Sequence, residues 1–263
     1  MKIYPILLLG LHQALQEALF TDAYADKVLE KTFKANKKWG SKDRAFIAES
    51  FYDIIRWKTK LEFYMNEEIN PQNVYKLMAT YLLLTYNSLP PFGEFKNIDT
   101  EFLKNRFSLP IENPAIKHAV PQWLYTKVAE AYPNQVDEIF EALNEQAEVY
   151  LRINTLKTSK ENTINALLKE DIEAKSVANY PNAIMLTHRK NVFRTQAFQN
   201  GWFEVQDLSS QLVASALAVK EGMRVIDTCA GAGGKTLHLA SLMKNKGQII
   251  ALDIHEWKLK ELK

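Results

Sequence analysis

A single cysteine, Cys229, in 263 residues excludes an internal disulfide framework and any cysteine-based zinc site. The five histidines are scattered and form no metal-ligand spacing, so no metal is expected. No apolar run reaches the roughly 18 residues of a spanning helix. An excess of one charge is also lacking. The 33 Lys and Arg residues face 31 Asp and Glu, and the net charge of +2 implies no nucleic-acid partner by itself. There is no internal repeat and no low-complexity segment. A hydrophobic share of 47% and a charged share of 24% are those of a chain that packs a core. The length suits one large domain or two to three small ones.

What is present is organised by segment. The start, MKIYPILLLGLHQALQ, carries Lys2, an apolar run and Ala23-Tyr24-Ala25, as a signal peptide would. Against that, Leu8, Leu11, Leu15, Ala18 and Leu19 continue one helical stripe through the polar residues, so a cytoplasmic protein is expected. Between Lys31 and Lys60 nine Lys or Arg residues meet three acids. Lys37, Lys38, Lys42 and Arg44 lie there, interleaved with Phe33, Trp39 and Trp57. That mixture suits a phosphate backbone with exposed bases. A solvated face of ordinary helices is the alternative.

The first 145 residues read as helical. Ile47, Phe51, Ile54, Ile55 and Leu61 share one face of a helix over Ser41 to Met65, with Ser41 as N-cap and Asp43 in the first turn. Further helices are predicted over Pro71 to Tyr86, Pro114 to Tyr132 and Gln135 to Ala147, with a loop at Pro90-Pro91. From Glu148 the texture is that of a small α+β domain, residues 146–200. It has a strand at Glu148 to Leu156, a helix capped by Ser159, and strands near Ala174 to Val177 and Ala183 to Thr187. After Gly201, Asp207 caps a helix. A strand at Arg224 to Thr228, a glycine-rich loop, a helix over Lys235 to Lys244 and a strand at Gly247 to Ile254 then make a βαβ unit with parallel strands.

The loop, VIDTCAGAGGKT from Val225 to Thr236, carries the functional argument. Gly231, Gly233 and Gly234 permit a tight turn and close approach of a ligand to the backbone, and the next helix aims free N–H groups at it. Asp227 ends the first strand. Asp253 ends the second, 26 residues on, where a carboxylate can accept from both hydroxyls of a ribose. A P-loop needs Gly where Cys229 stands, and the dinucleotide fingerprint needs Gly where Thr236 stands. A nucleoside ligand is therefore expected. A nucleotide hydrolase is the weaker alternative, and a tight turn without a ligand is the plain one.

The segments DTCAGAGGKTLHLA, VQDLSSQLVA (Val205 to Ala214) and ALDIHEWKLKELK (Ala251 to Lys263) resemble the RsmB/Sun family of RNA cytosine methyltransferases. Asp43-Arg44-Ala45-Phe46 and Ile55-Arg56-Trp57 are similar to the helical RNA-binding domain shared with the antitermination factor NusB. Leu151-Arg152-Ile153-Asn154-Thr155-Leu156-Lys157 is similar to the start of the family's small linker domain. The resemblance implies a multidomain chain: an all-α NusB-like RNA-binding domain over 1–145, a small α+β, RRM-like linker domain over 146–200, and the βαβ start of a Rossmann-like α/β class I methyltransferase domain over 201–263.

It further implies S-adenosylmethionine as cofactor. Cys229, Ala230, Gly231, Ala232, Gly233, Gly234 and Lys235 would form the cofactor loop, and Asp253 would hold the ribose. Gly231-Ala232 stands where many members have Ala-Pro, which keeps the loop small but less rigid. RNA, probed by Lys37, Lys38, Lys42 and Arg44, would be the partner, with small-subunit ribosomal RNA the precedent. A monomer is expected.

In that family a cysteine thiolate adds to carbon 6 of cytosine, carbon 5 then takes the sulfonium methyl group, and a second cysteine helps release the product. Those cysteines lie in Pro-Cys and Thr-Cys segments that would follow Lys263. The nucleophile is expected there, the chain is expected to be part of a longer enzyme, and by itself it is expected to be inactive. Cys229 is expected to be a small, half-buried wall residue. The rival reading is a NusB-type RNA-binding module without catalytic activity.

Overall fold

A computed structural model describes residues 3–262. The first residues, Lys2 among them, and Lys263 lie outside that range. The chain forms two units, one ending at Glu145 and one beginning at Gln146.

The first unit is helical: α1 (Pro5–Phe20), α2 (Ala25–Ala35), α3 (Ser41–Arg56), α4 (Lys58–Met65), α5 (Val74–Tyr86), α6 (Thr100–Phe107), α7 (Pro114–Lys117), α8 (Gln122–Ala131) and α9 (Val136–Asn144), with a 3-10 turn at Gly93–Phe95. Its core is one cluster that includes Leu7, Leu11, Phe51, Ile54, Leu77 and Leu82. Helix α5, VYKLMATYLLLTY, is apolar almost all round and is the central element, as such a helix must be.

The predicted helix over Ser41 to Met65 is broken at Trp57, which ends α3 and starts α4. Gly40 takes the N-cap place predicted for Ser41, and the Asp43 carboxylate accepts from its N–H at 3.1 Å. The predicted helix over 114–132 is likewise interrupted between Lys117 and Gln122, where Ala119 is left-handed (φ 53°) and Pro121 follows.

The second unit holds β1 (Tyr150–Ile153), α10 (Lys160–Leu168), β2 (Ala174–Ser176), β3 (Ala183–Leu186), α11 (Gln196–Gln199), β4 (Phe203–Val205), α12 (Leu208–Ala216), β5 (Arg224–Asp227), α13 (Gly234–Leu242), β6 (Gln248–Ala251) and α14 (Glu256–Glu261). Four strands form an antiparallel sheet in the order β2-β3-β1-β4, while β5 and β6 pair in parallel. Ser159 and Asp207 cap α10 and α12, accepting from Asn162 N–H and Ser209 N–H. Strand β4 lies beyond the predicted limit at residue 200 yet closes the small sheet on β1, Leu151 facing Val205 and Ile153 facing Phe203.

Alternation along β1 sends Leu151 and Ile153 into an apolar core with Leu167, Ile184 and Phe203. Arg152 points to the opposite face, beside its cross-strand partner Glu204. In the signature around β1, the Asn154 and Lys157 side chains donate to Gly201 O (2.9 Å) and Asn200 O (3.0 Å), clamping the turn that leads into β4.

Candidate cofactor site

Both strand-end carboxylates hold the glycine-rich loop. Asp227 accepts from Thr236 Oγ1 at 2.7 Å through one oxygen and from Cys229 N–H at 3.3 Å through the other. Asp253 accepts from Gly231 N–H and His255 N–H, both at 2.9 Å. These two amides, with Lys258 adding a weaker pull, hold its carboxyl below the usual carboxylate range, so it is ionised at neutral pH. The loop is also tied to the sheet by Ala230 N–H donating to Leu252 O at 2.9 Å.

Gly233, at φ 92°, is the N-cap of α13. A Cβ there would meet the Leu262 side chain at 2.6 Å, so both its conformation and its surroundings demand glycine. Having no side chain, it leaves the first-turn amides of α13 uncapped and available to a polar ligand. Lys235 is exposed at this end.

Cys229 is exposed, not half-buried as predicted. Its N–H donates to Asp227, and its side chain is open to solvent. The structure thus brings together Cys229, Ala230, Gly231, Ala232, Gly233, Gly234, Lys235 and Asp253 on one ridge at the carboxyl ends of β5 and β6.

Helix α13 packs on α12 and β6 and also reaches residues of the small sheet, which sequence reading missed. Gln206, just past β4, places its Nε2 3.6 Å from where a Cβ on Gly234 would stand. One turn on, the Arg152 guanidinium acts on buried His238. At the far end Thr155 Oγ1 and Ser241 Oγ are 2.8 Å apart. The helix therefore runs alongside β1 in the same direction. A charge flanked by two core residues, in Leu151-Arg152-Ile153, was the available signal that the second face of the strand is also covered.

The predicted RNA contacts fare unevenly. Lys37, Lys38 and Lys42 are exposed. Arg44 is half-buried and donates to Trp39 O (3.0 Å) and Phe33 O (3.4 Å) while lying over the Phe33 ring at 5.2 Å. It braces the turn before α3. Trp39 is buried and Phe33 and Trp57 pack against the core, so these aromatics do not form the stacking platform expected for bases. Lys31, Lys34 and Lys58 pair with Glu17, Glu30 and Glu62. Among the described residues no cluster of His, Cys, Asp and Glu could hold a metal and no helix is long and apolar enough to cross a membrane.

Comparison with known proteins finds two family models along the chain, the first of which begins within the helical unit. Residues 120–193 match the family model of the RsmF/B-like methyltransferase ferredoxin-like domain, and residues 214–263 match that of the 16S rRNA methyltransferase RsmB/F. Ribosomal RNA small subunit methyltransferase B of Proteus mirabilis is 36% identical over 58% of this chain and 36% of its own length. The protein of the same name from Escherichia coli is 27% identical over 85% of this chain and 58% of its own. The chain thus spans between about a third and three fifths of these curated relatives. The crystal structure of PH0851 superposes on the whole chain with a TM-score of 0.75, at 22% identity and over 66% of that protein, a likeness of fold. Both methyltransferase-family segments are matched in order, with the glycine-rich loop inside the second, so over residues 120–193 and 214–263 the chain is similar to the RsmB/F family.

Proposed function

We propose that this chain supplies the S-adenosylmethionine site and an RNA-binding part of an enzyme that methylates carbon 5 of a cytosine in small-subunit ribosomal RNA. The observation that carries the cofactor half is the pair of strand-end carboxylates tied to one glycine-rich turn, with the uncapped end of α13 beside them. The donor set fits that cofactor. Asp253 is ionised and keeps lone pairs for ribose hydroxyls, and the open amides of α13 face the polar end of the ligand. The bound cofactor would supply an electrophilic methyl group. Here Asp253 binds, Asp227 and Thr236 hold the loop in shape, and Gly233 lets the backbone come close.

Names of the relatives support ribosomal RNA as substrate. Cytosine as the base, carbon 5 as the acceptor and a cysteine adduct at carbon 6 follow from the resemblance of the loop and of VQDLSSQLVA. Cys229 belongs to the cofactor turn, and the nucleophile is assigned to another cysteine of the whole enzyme. The helical first unit is read as NusB-like, with Lys37, Lys38 and Lys42 as its exposed cations.

The decisive test is Asp253→Ala. Two hydrogen bonds to a charged acceptor are at stake, about 1.5–3 kcal/mol each before compensation. Calorimetric titration with S-adenosylmethionine is expected to show a loss of tenfold or more in affinity, at about one decade per 1.4 kcal/mol. Unchanged affinity would remove Asp253 from the site.

A further inference from the structure

The polar groups that the cofactor reading leaves unused gather where α13 lies on the small sheet. Three enclosed side-chain atoms there lack a hydrogen-bond partner: Arg152 Nε, Gln206 Oε1 and His238 Nδ1. Their residues are 3%, 8% and 4% exposed, so solvent does not satisfy them. Buried orphans are uncommon in folded proteins, and these three lie on adjoining parts of the second unit, apart from those at Ser50, Thr59 and Arg106 in the first.

The three are chemically complementary. Arg152 Nε carries a hydrogen at every accessible pH and is a donor. The Gln206 amide is oriented by its Nε2, which reaches Ser210 Oγ at 3.4 Å, while Gln211 Nε2 donates to its backbone oxygen at 2.9 Å. Its Oε1 is thereby left as an acceptor. Burial first, and the Arg152 charge second, keep the His238 ring neutral down to about 4, so its Nδ1 can accept as well. Burial also draws Arg152 down to about 10, with Glu204 opposing the shift from the same face of the sheet. The set thus holds one donor and two acceptors, none within hydrogen-bond distance of a partner, with Gln206 against the start of α13 and the Arg152 charge felt at His238 one turn on.

We propose that Arg152, Gln206 and His238 form one polar clasp that fixes the first two turns of α13 on the small sheet, and that all three are positioning residues for the cofactor loop. The functional half of this proposal rests on the cofactor reading above. Apolar contact alone would hold a helix to a sheet without fixing where it sits along the strand. A slip by one turn would separate Gln206 from Gly234, Arg152 from His238 and Thr155 from Ser241 at once. The clasp therefore sets the register, and with it the place at which Gly233 and the uncapped amides are presented.

Hydrogen exchange on the whole chain, without cofactor, reads the clasp directly. Arg152→Met and His238→Leu each remove one polar group of the set and leave the others buried. Each is expected to speed exchange of the 234–239 amides by roughly tenfold while those of β2 and β3 keep their rates. The double variant, which removes donor and acceptor together, should exchange no faster than the worse single variant. His238→Asn, which keeps an acceptor near the place of Nδ1, should return to wild-type rates. It also keeps the test readable if His238→Leu does not fold. Unchanged rates at 234–239 in Arg152→Met, or acceleration spread evenly over the second unit, overturns the clasp.

The same variants are then titrated with S-adenosylmethionine. Weakened binding in Arg152→Met with recovery in His238→Asn supports the positioning role, and wild-type affinity in Arg152→Met overturns it. If the wild type itself fails to bind, the cofactor reading falls, while the exchange rates still decide the clasp.

Discussion

His238 links the stability of the second unit to pH. Buried at 4% exposure beside Arg152, its ring titrates at about 4 in the folded chain instead of the ordinary 6.5. The unfolded chain therefore binds one more proton than the folded one between those values, and stability rises with pH across that window. The contribution is complete above the unfolded pKa and is lost as pH falls towards the folded one, up to about 3 kcal/mol over the full range. Asp253 acts lower: its depressed carboxyl stabilises the fold until pH drops through the ordinary carboxylate range. Urea unfolding at about pH 7 and about pH 5 separates the two. The wild type should lose stability between these conditions and His238→Asn should lose much less. An equal loss in both would show that His238 is not the group responsible.

At the scale of elements, the contact of α1 with the turn before α3 turns on Gly10. A Cβ there would stand 2.4 Å from Trp39 Cη2 and 2.9 Å from Cζ2. In isolation Gly10→Ala would favour the helix by about 1 kcal/mol. Overpacking against a buried ring costs about 1–3 kcal/mol, and the aromatic is fixed by Arg44 and Phe33 around it. The clash should win, so thermal unfolding of Gly10→Ala is expected below that of the wild type. A higher midpoint would mean that Trp39 can move aside.

The elements also show what the sequence makes legible. Local signals were readable: Ser159 and Asp207 as caps, the alternation of β1, and the glycine turn between β5 and α13. Periodicity did not reveal the breaks at Trp57 and at Ala119, because the apolar stripe continues on both sides and tertiary packing decides where the chain turns. Strand β4 is three residues long, too short for a period-2 pattern, and exists because β1 offers it an edge. Phe33, Trp39 and Trp57 looked like a base-stacking surface because composition cannot tell which side of a helix faces inward. In the candidate site the loop and Asp253 could be read from spacing. The burial of Arg152, Gln206 and His238 could not, since it depends on how the elements pack on one another.

At the scale of the molecule, the near-neutral net charge hides an uneven surface. Lys37, Lys38 and Lys42 remain exposed where their basic neighbours are paired with acids or braced against carbonyls. If they meet RNA phosphates, replacing all three with Ala should weaken binding and flatten its salt dependence, each lost contact lowering the slope by about 0.7–0.9. A filter-binding titration with an unchanged slope would assign them to solubility alone.

The seating of α13 along β1 has a consequence for how this protein can be taken apart or recombined. The linker sheet and the cofactor loop share one polar seam, from Gln206 and Gly234 through Arg152 and His238 to Thr155 and Ser241. A chimera that joins the linker of one relative to the methyltransferase domain of another would cut across that seam. Such grafts should succeed only when positions 152, 206 and 238 travel together as one inheritance unit.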